Sequence, residues 1–93
     1  MQALVEQILR SIPVGRVFDS HFIIQRVIES GSDTYIRFAS QYSGGQEPTL
    51  TSHQQIGHVI NSFSGTLVQR MPADSWSQSI HGSPSPCALW RRI

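Results

Sequence analysis

Four histidines, one cysteine and six carboxylates are the groups in this 93-residue chain with the most obvious capacity for chemistry. Their spacing does not organise them. His53 and His58 are five positions apart and project from different sides of a helix, while His21 and His81 belong to other elements. No second cysteine accompanies Cys87, so neither an internal disulfide nor a multi-cysteine zinc site can form. Cys87 would be a nucleophile only if a histidine were brought to it, and nothing local favours its thiolate. It reads as a small buried hydrophobe. Asp19 and Asp33 are explained by helix capping, and Glu6, Glu29, Glu47 and Asp74 are not paired at a useful spacing. Ser43-Gly44-Gly45 lacks the lysine and helix start of a phosphate-binding loop. The chain is expected to be no enzyme, and to need no metal and no cofactor.

The hydrogen-bonding capacity lies elsewhere. Ile56, Val59, Ile60 and Phe63 recur at helical spacing and predict a helix over Thr51–Phe63 with one buried stripe. Its other face holds Ser52, His53, Gln54, Gln55, His58, Asn61 and Ser62. A plain solvent face would carry glutamate and lysine, which favour helices and hydrate well. This face has neither. Glutamine and asparagine can bond to adenine edges, and serine to bases or phosphate. The alternative is an uncharged helix lying on solvent or on the rest of the domain. Gly57 is costly inside a helix, by about 1 kcal/mol against alanine. It suggests close approach of the backbone to the first helix or to a partner.

Other elements must hold that helix. Leu4, Val5, Ile8, Leu9 and Ile12 form the stripe of a first helix that Pro13 stops. A turn and brief strand follow over Val14–Phe18. Asp19 caps a second helix, whose buried face is Ile23, Ile24, Val27 and Ile28, and Gly31 ends it. Asp33 is expected to cap a third helix carrying Tyr35, Phe38, Ala39 and Tyr42; a strand over Tyr35–Phe38 is the alternative. Ser43–Pro48 reads as a loop, and Thr49 or Thr51 as the next cap. After Ser64-Gly65 come a strand over Thr66–Met71, a turn-rich stretch in which Trp76–Ile80 could extend, and a strand over Cys87–Arg92.

Length and charge bound the rest. A chain this size forms a single domain, residues 1–93, that buries roughly two-thirds of its unfolded surface. The expected core is Leu4, Ile8, Leu9, Ile23, Val27, Ile28, Ile56, Val59, Ile60, Phe63, Leu67 and Leu89. Charged residues are 14% of the chain, against roughly 25% in a typical soluble domain. All seven basic residues are arginines and net charge is +1, so strong non-specific nucleic-acid binding is not expected. No apolar run approaches the roughly 18 residues of a membrane span. The first residues lack a signal-peptide pattern. A cytoplasmic or nuclear location, without membrane contact, is the expectation.

The order of elements, with Gln54-Gln55-Ile56-Gly57-His58-Val59-Ile60-Asn61-Ser62-Phe63 passing into Gly65-Thr66-Leu67-Val68-Gln69-Arg70 and closing on Leu89-Trp90-Arg91-Arg92, resembles the winged helix-turn-helix superfamily. The resemblance implies a mainly α fold of three to four helices with a small antiparallel β-sheet, built as a C-terminal β-hairpin wing. The long spacer Asp33–Leu50 before the recognition helix departs from the pattern. The first functional reading is sequence-specific binding of duplex DNA, as a dimer. Ser52, Gln54, Gln55, His58 and Asn61 would face the groove, and Arg70, Arg91 and Arg92 would hold phosphates. The second reading is a protein-interaction module, binding another chain or a copy of itself through the same helix or through Trp76 in the wing.

Overall fold

The computed structural model describes residues 1–93 throughout. Four helices come first: α1 Gln2–Ser11, α2 Ser20–Ser30, α3 Ser32–Ser40 and α4 Pro48–Asn61. The strands are β1 Val17–Asp19, β2 Val68–Arg70, β3 Ser75–Gln78, β4 Pro84–Cys87 and β5 Leu89–Arg92. The result is a mixed α/β fold with four helices and two small antiparallel sheets.

Local chemistry sets the boundaries. Ile12 is extended, as a residue before proline must be, and closes α1. Asp19 caps α2 as expected, its carboxylate accepting from the Phe22 N–H at 2.8 Å. Gly31 ends α2 and also begins α3, so Asp33 lies in the first turn and is not the cap. Residues 35–38 are helical; the strand alternative does not occur. The fourth helix starts three residues earlier than the apolar pattern indicates, because Pro48 occupies its first turn. A proline there lacks only an amide that would have no partner anyway. Neither Thr49 nor Thr51 is its cap.

The larger sheet has the order β1-β5-β2, with β5 in the centre. Val68 pairs with Arg92 and Arg70 with Trp90, so the two predicted wing strands do meet. On its other edge β5 pairs with β1, Phe18 opposite Trp90. The sheet is therefore more than a C-terminal hairpin: the short strand after α1 completes it. The intervening stretch folds on itself as a second hairpin, with Trp76 opposite Pro86 and Gln78 opposite Pro84. Pro84 and Pro86 cannot donate to a ladder, which suits β4 to a two-stranded ribbon and not to a sheet interior.

The core joins the stripes of α1, α2 and α4 to the sheet. It comprises Val5, Ile8, Leu9, Ile12, Phe18, Ile23, Ile24, Val27, Ile56, Ile60, Phe63, Leu67, Val68 and Trp90. Leu4, Ile28 and Val59, expected inside, are only partly buried against it. Leu89 is half-buried and Trp90 takes the inward position. Alternation along β5 allows only one of these neighbours to face the helices. Trp90 Nε1 donates to Ser20 Oγ at 3.0 Å, which satisfies its single buried polar atom.

Candidate binding cleft

The β3–β4 hairpin leans over the start of α2 and over α4 from Leu50 to His58, and the space between them is a cleft of about 570 Å³. Small-ligand and side-chain clefts run from roughly 300 to 1,000 Å³. Polar contacts hold the hairpin there. His21 Nδ1 lies 2.8 Å from Ser77 Oγ, and His21 Nε2 accepts from or donates to Ser85 Oγ at 3.3 Å, according to tautomer. Ser75 Oγ donates to Asp19 Oδ2 at 2.8 Å. One imidazole and one carboxylate at the head of α2 thus tie both strands of the hairpin to the helical body.

All four histidines line this cleft. His53 Nε2 and Tyr35 Oη are 2.8 Å apart, which joins α4 to α3. On its other side the His53 ring stacks with His81 at a centroid distance of 6.1 Å. His58 and Gln54 project from the exposed face of α4 into the same space. The apolar part of the wall comes from Ile24, Leu50, Ile80 and Ala88. No arginine, aspartate or glutamate is among the lining residues. The imidazoles are not gathered closely enough to hold a metal ion.

Two groups here depart from their ordinary ionisation. Burial, followed by the nearby His81 and His21, lowers the His53 pKa below 6.5. For Asp19, burial is the largest influence and acts upward. The Phe22 amide, the Ser77 and Ser75 hydroxyls and the charge of His21 together outweigh it, so the Asp19 pKa falls below 3.8.

The residues expected to contact a nucleic acid have mixed fates. Gln54 and His58 are exposed and meet in the cleft, whereas Asn61 is exposed beyond it. Gln55 is half-buried on the flank of α4 away from the cleft lining. Ser52 is fully buried and donates to the Thr49 carbonyl at 2.9 Å, so it cannot reach any partner. Small size and one backward hydrogen bond let serine sit on the core face.

The three arginines of β2 and β5 are divided as well. Arg92 places Nε 2.8 Å from the Leu9 carbonyl at the end of α1 and also donates to the Leu67 and Ile93 carbonyls. It serves as a helix C-terminal cation, not as a phosphate clamp. Arg70 pairs with Asp74 at 2.5 Å, donates to the Met71 carbonyl at 2.9 Å and lies over the Trp90 ring. Arg91 is exposed, with one long contact of 3.4 Å to Gln69, and is the one of the three left available.

Two further expectations change. Cys87 is half-buried, with its sulfur 3.9 Å from Ser77 Oγ, and lines the cleft. Gly57 does not permit a close helix approach: a β-carbon there would meet nothing within 4 Å. It forms open floor in the cleft instead.

The convergence of His21, His53 and His81 with His58 was not visible in their spacing. It depends on where the hairpin lies, and alternation or helical periodicity says nothing about that. Searches of known protein families, curated proteins and solved structures find no match to this chain.

Proposed function

We propose that this chain is a non-catalytic interaction module of winged-helix type whose cleft, between α4 and the β3–β4 hairpin, receives a peptide segment of a protein partner. The winged-helix part of the reading is supported by strand order: β1-β5-β2, with α4 feeding into β2. The partner class is supported by one observation above others. The outer face of α4 is walled from Leu50 to His58 by the hairpin, so Gln54, Gly57 and His58 open into a concave space. A helix that reads the major groove must protrude as a bare cylinder into a channel about 12 Å wide.

Charge points the same way. Of the three arginines that duplex DNA would need on the wing, Arg92 and Arg70 are committed to carbonyls and to Asp74. Trp76 is 71% exposed on β3, on the hairpin face opposite Ser75 and Ser77 and outside the cleft, where it offers a further apolar contact. Tryptophan is enriched in protein interfaces.

Duplex DNA is the competing partner, carried by Gln54, His58, Asn61 and Arg91. A mobility-shift titration with random-sequence duplex at low and at physiological salt separates the two. The peptide reading expects no shift at either. A shift that weakens steeply with salt would overturn it, because phosphate contacts release counterions. The positive arm pans a random peptide library against the full chain and maps selected peptides by amide chemical shifts. Perturbations should centre on Gly57, His58 and Ile80, and Gly57→Met, which fills the cleft floor, should abolish them.

A further inference from the structure

The cleft combines several imidazoles with an apolar wall and contains no carboxylate to neutralise them. Imidazoles are the side chains that change charge between about pH 5 and 8. A neutral ring offers one donor and one acceptor, and a protonated ring offers two donors. His21 is already engaged at both nitrogens by Ser77 and Ser85, and Asp19 stands beside it. His53 has one nitrogen at Tyr35 and the other free, while the rings of His58 and His81 make no hydrogen bond within the fold. Those three rings, with the Gln54 amide, are the uncommitted polar groups of the cleft.

Resting on the peptide-cleft reading above, we infer that the bound segment presents an aspartate or glutamate to His53, His58 and His81, next to an apolar residue seated against Ile24, Leu50 and Ile80. The stacked pair His53 and His81 would repel if both gained a proton, and an anion beside them removes that repulsion. A carboxylate fits better than a phosphate group. Phosphate sites draw on arginine or lysine, and neither lines this cleft.

Protonation of the rings strengthens the pairing, so affinity rises as pH falls. The titratable and charged groups facing the three rings are few. On α2 there is His21, with Asp19 beside it at the end of β1 and outside the cleft lining; on α3 Tyr35, bonded to His53; on β4 Cys87. None is a carboxylate free to compete with the ligand.

The test uses the library-selected peptides and the full chain. Selected sequences should share an acidic residue adjacent to leucine, isoleucine or phenylalanine. Calorimetry should give affinity about tenfold tighter at about pH 5.5 than at about pH 7.5, since a peptide carboxylate stays ionised across that range. Replacing the acid by its amide, or making His58→Gln with His81→Gln, should remove most of that difference. Both histidines are exposed, so the doubly substituted chain keeps its fold. Peptides that bind the cleft without an acid, or with affinity indifferent to pH, overturn this inference and leave the peptide reading intact. Failure of any peptide to bind the cleft overturns both. Octanoate competing as strongly as the peptides would assign the carboxylate to a small molecule and overturn the peptide source.

Discussion

On the sheet side of the molecule, Arg92 tethers the end of α1 to β5, Arg70 grips the turn after β2, and Trp90 closes the core with its indole N–H on Ser20. On the cleft side, the side chains of Gln54, His58 and His81 make no hydrogen bond within the chain. The two regions put their polar side chains to opposite ends. Where the backbone leaves carbonyls exposed at a helix end or a turn, long cations are absorbed into the fold. Where a hairpin stands off a helix, shorter donors and acceptors are left over. A polar side chain is therefore evidence of a binding surface only after the backbone's own requirements have been met.

The contrast can be tested from its strongest point downward. Trp90→Ala should cost about 3–5 kcal/mol in urea unfolding, because it empties the centre of the core. Next, Arg92→Ala should cost about 1–3 kcal/mol by leaving the Leu9 carbonyl without its charged donor, whereas Arg91→Ala on the neighbouring exposed position should change stability by about 0.5 kcal/mol or less. Equal losses for the two arginines would erase the distinction drawn here. Asp19→Ala should remove about 1 kcal/mol by uncapping α2, and should loosen the hairpin that Ser75 ties to it. In the wild type, the Asp19 contribution is complete above about pH 3.8 and is lost as pH falls beneath that value toward the lower folded-state pKa. An acid titration of the variant should lack this component.

Smaller effects belong to the cleft. Gly57→Ala should stabilise the fold by about 0.5–1 kcal/mol, since the methyl enters open space inside a helix. A loss there would mean that α4 needs glycine for its own packing. His53 supplies the smallest change. Its folded-state pKa is below 6.5, so the unfolded chain takes up the proton more readily. Stability should be full above about pH 6.5 and decline as pH falls through the window beneath it. His53→Gln should flatten that decline in thermal melts.

Much of the sheet side was legible in the sequence. Period-3.6 stripes locate α1, α2 and α4, Asp19 announces its helix, and β2 and β5 pair with each other as expected. The misplacements have physical causes. Pro48 extended α4 because a first-turn proline starts a helix as readily as a threonine caps one. Ser52 was assigned outward by polarity, although a serine that bonds its own helix carbonyl can be buried. Arg92 reads as a phosphate ligand because the Leu9 carbonyl that uses it lies 83 positions away, whereas the partners of Arg70, Met71 and Asp74, are close in sequence and only the turn after β2 brings them to it. The cleft was not legible at all. Its four histidines come from α2, α4 and the β3–β4 hairpin, and only the tertiary lean of that ribbon joins them.

The central place of β5 has a consequence for how the molecule is made. Trp90 meets Ser20 across a separation of 70 positions, and both β1 and β2 depend on the same strand for hydrogen bonds. While a ribosome has yet to release Leu89–Arg92, two short ribbons and an indole-sized void stay open together. Closure of the sheet therefore waits on long-range pairing, which is slower to form than the local contacts of the helices. An interrupted nascent chain would carry helices but no lock.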